Sequence, residues 1–120
     1  MPEIAPTALV GPDVRLADDV VVEDHAILGR VGKAHAPVIV GPGSVIRAGT
    51  IIYPGVTAGS RLQTGHHAVI RSNTTLGDGV VVGTNVVIDG DCRIGDRVKL
   101  QSNVYIPTNT TIEADAFLGP

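Results

Sequence analysis

Counted from Ile4, every sixth residue of the 120-residue chain is almost always aliphatic. The column runs Ile4, Val10, Leu16, Val22, Leu28, Ala34, Val40, Ile46, Ile52, Ala58, Thr64, Ile70, Leu76, Val82, Ile88, Ile94, Leu100, Ile106, Ile112 and Leu118. Seventeen of these twenty are Ile, Leu or Val, against 36 of 120 positions overall, so the period is not a by-product of composition. A period of six fits neither a helix at about 3.6 nor a simple strand at about 2. It is the mark of an internal repeat.

A second column lies four residues after the first, from Ala8, Val14 and Val20 to Val104, Thr110 and Ala116. None of its members is charged and most are small. The residue after the aliphatic is Gly in nine of the twenty hexads. Each hexad therefore reads as a short β-branched strand followed by a turn, with Gly, Asn and Asp where positive φ is needed. Three strands and three corners close a coil of about eighteen residues, and coils stack by parallel pairing at about 4.8 Å. The expected fold is all-β, a single-stranded parallel β-helix of about six to seven coils and about 30 Å in height, formed by residues 1–120 as one domain. Its narrow interior suits Ile, Leu and Val better than rings, in keeping with one Phe, two Tyr and no Trp in a chain that is 43% hydrophobic. A β-sandwich would need longer alternating strands and would not hold one register along the chain.

The register has informative exceptions. Ala34 falls within GRVGKAHAPV, where Gly, Lys, His and Pro crowd together, and a protruding loop is expected at about 29–38. Thr64 replaces the inward aliphatic in LQTGHHAVIR, directly after the reduced position Ala58. A polar side chain at a core position is costly without partners. His66 and His67 follow it, and histidine is the natural general base near neutral pH. Stacking at eighteen residues sets His66 beside Thr84 and Ser102, and His67 beside Asn85 and Asn103. The same step puts Arg71 between Tyr53 and Asp89, and Arg97 beside Asp115, where ion pairs are expected. Such ladders suit a substrate groove and suit ordinary amide and threonine ladders between coils equally well.

Composition narrows the partners. The net charge of −3 and the lack of a basic run argue against nucleic acid. The apolar stretches are shorter than a membrane span and the opening residues do not read as a signal peptide, so a cytoplasmic protein with no membrane partner is expected. Cys92, the single cysteine, falls in the inward small column and reads as a buried, inert thiol.

The pattern resembles the hexapeptide repeat of left-handed parallel β-helices, and the resemblance implies left-handed crossovers. The runs LQTGHHAVIR, TTLGDGVVVGTNVVIDG and VKLQSNVYIPTNTTIEADAFLGP resemble the sugar-modifying branch of the hexapeptide acyltransferases. The resemblance implies transfer of an acetyl group from acetyl-CoA to an amino or hydroxyl group of a sugar, often nucleotide-linked, without a metal. It maps the catalytic base onto His66, makes Gln63, His67, Arg71, Asn85 and Asn103 candidates for binding substrate or CoA, and implies a homotrimer with sites between subunits. Relatives commonly carry Glu after the Arg of the IR pair, where this chain has Ser72. They also continue beyond FLGP with further coils or a helix that help bind CoA, so the chain reads as the N-terminal part of such an enzyme. The alternative is a non-catalytic β-helix scaffold or assembly module. A metal-dependent trimer would need three well-spaced histidines, and His25 and His35 stand far from His66 and His67 at an eighteen-residue step.

Overall fold

A computed structural model of the protein describes residues 1–32 and 35–120. Among these the secondary structure is all β, in strands of two or three residues. The first sheet stacks seven strands: Glu3–Ile4, Val21–Val22, Val45–Ile46, Gln63–Thr64, Val81–Val82, Lys99–Leu100 and Phe117–Leu118. The second stacks Leu9–Val10, Ile27–Leu28, Ile51–Ile52, Val69–Ile70, Val87–Ile88 and Tyr105–Ile106. The third stacks Val14–Leu16, Val38–Val40, Thr57–Ala58, Thr75–Leu76, Arg93–Ile94 and Thr111–Ile112. All pairings are parallel, and successive strands of the chain enter successive sheets, giving about six coils of a triangular prism.

Both sequence columns point inward. Ile46, Ile52, Ile70 and Ile88 of the first and Val56, Leu62, Val80 and Val98 of the second are fully buried. Burying each such side chain is worth about 1.5–3 kcal/mol, spread evenly along the stack. Rings are kept outside: Phe117 and Tyr105 are 63% and 58% exposed. Cys92 is buried, its sulfur 3.1 Å from the Gly90 carbonyl oxygen. The overall extents of 33 × 27 × 21 Å fit seven strands stacked at about 4.8 Å.

The corners carry the turn chemistry. Gly43, Gly79, Asn73, Asp91 and Asn109 take positive φ, as do the less expected Arg61 and Arg97. Carboxylates cap neighbouring coils: Asp78 accepts from the Ser60 N–H and Asp96 from the Asp78 N–H, both at 2.8 Å. The backbone bond from Ser60 holds the Asp78 carboxyl below the usual aspartate range.

The loop expected at 29–38 falls in part on Lys33 and Ala34, which lie outside the described residues. On either side of it the pairing step changes. Val14 pairs with Val38, Val21 with Val45 and Ile27 with Ile51, a step of 24 residues, whereas Val45 pairs with Gln63 at a step of 18. The chain spends one additional hexad there, so the six-residue phase of the sequence passes through unchanged while the stacking partners shift.

Thr74 sits in the second inward column with a buried hydroxyl that has no hydrogen-bond partner among the described residues. Thr74→Val keeps the shape and removes the stranded polar atom. It is expected to raise stability by about 1 kcal/mol in urea unfolding, and a loss of similar size would show that the hydroxyl has a partner in solution.

Candidate functional site

The corner between the first and second sheets carries both adjacent histidines. In this corner His25, Gly49, His67, Asn85 and Asn103 occupy equivalent positions, and all five take positive φ between 59° and 73°. The 24-residue step brings His25 into this column, where counting by eighteen does not put it, but still two coils and about 10 Å from His67. Asn and His tolerate the left-handed region better than most residues, so the polar ladder of His67, Asn85 and Asn103 has a conformational cause. The His67 ring lies over Gly49, where a Cβ would meet its Nδ1. His66, one position earlier in the turn, is exposed and lines a groove of about 320 Å³. Arg47, Gln63, Thr64, Gly65, Thr84 and Ser102 line the same groove.

Backbone bonding at this corner departs from the rest of the column. Elsewhere in the first sheet the N–H after the strand bonds the carbonyl of the next coil: Ala5 to Val22, Glu23 to Ile46, Gly65 to Val82 and Gly83 to Leu100. Arg47 N–H instead donates to the Thr64 hydroxyl at 2.9 Å. The Thr64 carbonyl thus released accepts from Arg47 Nη1 at 3.1 Å. Thr64 and Thr50 hydroxyls lie 3.0 Å apart, and Thr50 Oγ1 donates to the Gly65 carbonyl at 3.0 Å. One proton arrangement satisfies all of these: Arg47 N–H to Thr64, Thr64 to Thr50, and Thr50 to Gly65. In other coils the equivalent corner carbonyl accepts the N–H three residues on, as Glu23 does from Ala26 and Gly83 from Val86. Thr64 is therefore partnered, and its hydroxyl reshapes the turn that carries His66.

Of the sequence candidates, Gln63 and His66 share this groove, while His67 and Asn85 do not line it. Asn103 lines an adjoining groove with Lys99, Gln101, Phe117 and Pro120, which shares Val81, Gly83 and Ser102 with the groove of His66. Arg71 stands at the far end of its strand in a third, of about 340 Å³, with Gly32, Tyr53, Asp89 and Asp91. There the eighteen-residue ladder is formed: Arg71 Nη1 lies 3.3 Å from Asp89 Oδ1, and its guanidinium carbon 5.3 Å from the Tyr53 ring centre. Tyr105 joins them by donating to Asp89 at 2.7 Å, a contact sixteen residues apart that an eighteen-residue step does not reveal. Arg97 and Asp115 form their two-point pair at 2.7 and 3.1 Å. Arg47 was the other residue missed. Its only sequence signal is that it stacks beside the Thr64–Gly65 turn. Among the described residues, no group of three or more His, Cys, Asp or Glu side chains is placed to hold a metal ion.

The family profile described as hexapeptide repeat of succinyl-transferase matches residues 19–54 and 65–90, just over half of the chain. The chain belongs to the hexapeptide-repeat family. A mutant of perosamine N-acetyltransferase from Caulobacter crescentus, solved in complex with CoA and GDP-perosamine, superposes with a TM-score of 0.86 at 17% identity. The match covers 97% of this chain and 51% of that one. UDP-N-acetylglucosamine O-acyltransferase from Moraxella catarrhalis superposes with a TM-score of 0.50 at 17% identity, over 92% of this chain and 62% of that one. No curated protein matches the chain by sequence. At such identities the likeness is one of fold, and this hexapeptide-repeat chain spans about half the length of the first relative and under two thirds of the second.

The Asp89 ladder is open to a direct check. The hydrogen bond to Asp89, then partial burial and the carboxylate charge, raise the Tyr105 hydroxyl above the usual tyrosine value. In a Tyr53→Phe background, Asp89→Asn is expected to lower the Tyr105 titration midpoint, followed by ultraviolet absorbance. An unmoved midpoint would show that the contact is not held in solution.

Proposed function

We propose that this chain is the β-helical part of an acetyl-CoA-dependent acyltransferase that acylates an amino or hydroxyl group of a sugar or nucleotide-linked sugar, with His66 as general base. The observation that carries this reading is the placement of His66. It is an exposed imidazole in a groove with Arg47, Gln63, Thr84 and Ser102, and among the described residues no carboxylate lines that groove to bind it in an ion pair. Support also comes from the family membership and from two solved acyltransferases with the same fold.

In this mechanism His66 takes the proton from the acceptor nitrogen or oxygen as that atom attacks the thioester carbonyl. A backbone N–H of a neighbouring turn stabilises the oxyanion of the tetrahedral intermediate. Collapse breaks the carbon–sulfur bond, and the imidazolium returns its proton to the departing CoA thiolate. The chemistry needs no metal. His67, Asn85, Asn103 and Arg71 fall to outer contacts with acceptor or CoA in this scheme, because they stand outside the groove of His66.

The groove is shallow and open. The homotrimer with sites between subunits, which the sequence resemblance implies, would set a second subunit over this corner and close the groove over the thioester. Among the described residues no helix is long and apolar enough to cross a membrane. The reading places the protein in the cytoplasm, where its acyl donor is made.

His66→Ala is expected to lower turnover by about 10²–10⁴ with the fold intact, and unchanged turnover would remove His66 from the mechanism. Isothermal titration with acetyl-CoA separates this reading from a non-catalytic β-helix scaffold, for which no binding is expected even at millimolar ligand. Sedimentation is expected to give a trimer, and a strictly monomeric species would rule out a site between subunits.

A further inference from the structure

We infer that Arg47 is the anion-binding residue of the His66 groove, that it seats a diphosphate there, and that Thr64 serves to aim it. The inference deepens the transferase reading, since it names the group that holds a ligand beside the base.

The electrostatics come first. Among the described residues Arg47 is the only one lining this groove that carries a fixed charge, and no carboxylate lines it. Arg15, Arg71 and Arg97 each stand within 4 Å of an aspartate, at 3.6, 3.3 and 2.7 Å. Arg30, Arg61 and Arg93, which form no such pair among the described residues, are exposed to solvent. Glu23, on the coil beside Arg47, accepts from the Ala48 N–H at 3.2 Å. Among the described residues Arg47 has no such partner, although it is half-buried and the chain carries a net charge of −3. A half-buried guanidinium without a counter-ion is an unbalanced charge that an anionic ligand would neutralise.

The geometry comes second. The bond from Nη1 to the Thr64 carbonyl uses one of the five guanidinium N–H donors and fixes the side chain against the turn. That carbonyl is available only because the Thr64 hydroxyl has taken over its backbone partner. An aliphatic residue at position 64 would keep the core column and the backbone ladder intact and leave the Arg47 side chain without this anchor. Thr64 is thus a positioning residue, and its departure from the aliphatic register has a stated use.

The ligand class follows from the lining. Arg47, Gly65–His66, Gly83–Thr84 and Ser102 belong to four successive coils, so the groove runs about 14 Å along the stack. A guanidinium at one end with Thr84 and Ser102 hydroxyls further along suits a diphosphate and its attached groups better than a single carboxylate. Two sources share that chemistry: the diphosphate of CoA and that of a nucleotide-linked sugar.

The test titrates the full chain with CoA, UDP and inorganic pyrophosphate by calorimetry, in the wild type and in Arg47→Gln, Arg47→Lys and Thr64→Val. Arg47→Gln is expected to weaken anion binding about 10- to 100-fold, with Arg47→Lys restoring part of it. Thr64→Val is expected to weaken binding in the same direction while unfolding at the same or a higher temperature. Where turnover is measured, Arg47→Gln raises KM and leaves kcat near its wild-type value, which a merely structural residue would not do. The source is CoA if only CoA binding falls, and the nucleotide-linked substrate if only UDP binding falls. Equal binding of all three probes by wild type and Arg47→Gln overturns the inference and leaves His66 catalysis standing. Loss of pyrophosphate binding in Arg47→Gln, in a protein that takes neither CoA nor UDP, keeps the anion site and sinks the transferase reading. A wild type that binds none of the three overturns the anion site itself. Wild-type affinity in Thr64→Val removes Thr64 from the device.

Discussion

The parallel backbone ladder between coils is the constraint on which everything else rests. Each strand is only two or three residues long, too short to be stable alone, and gains its hydrogen bonds entirely from the coils on either side. The ladder fixes which side chains stand over one another, about 4.8 Å apart. A six-residue phase keeps aliphatics inside, and the stacking step decides which outward groups meet. Arg71 with Asp89, Arg97 with Asp115 and Ser60 with Asp78 are all products of one step of eighteen.

Much of this was legible in the sequence because the phase and the step have direct signatures. The aliphatic and small columns both proved to be the core, the rings stayed outside, and the Arg71 and Arg97 ladders formed where counting by eighteen put them. The place of His25 was not legible, for a clear reason. One additional hexad leaves the phase untouched but changes the step to 24, and phase is all that the pattern displays. Tyr105 was missed because a long side chain reaches beyond the residue directly stacked on its own backbone.

The two histidines show a different limit. Sequence sets them side by side in one turn with equal chemistry. Structure separates them by backbone conformation: His67 takes the left-handed corner position and lays its ring over Gly49, while His66 lines the groove. Thr64 shows the same limit from inside. Its polarity at a core position was visible, but not that its hydroxyl would stand in for its own carbonyl in the ladder. A substitution of acceptor for acceptor leaves no trace in a hydropathy pattern. It is a local breach of the rule that elsewhere specifies the fold, and such breaches are expected where a protein does something besides folding.

The position of the groove along the stack has its own consequence. Stability in a solenoid is close to a sum over neighbouring coils, so a coil covered on both faces is held by two neighbours. Ile46, Ile70 and Ile88, in coils covered on both faces, are fully buried. The groove draws on the strands around Arg47, Thr64 and Val82, each flanked by further coils on both sides. Its lining is therefore held by the most fully buried part of the prism. The spacing of Arg47 from His66 is set by the inter-coil repeat and not by a loop. The transfer proposed for this groove, in which a base, an acceptor atom and a thioester carbonyl must meet in close contact, would gain from a rigid seat of this kind.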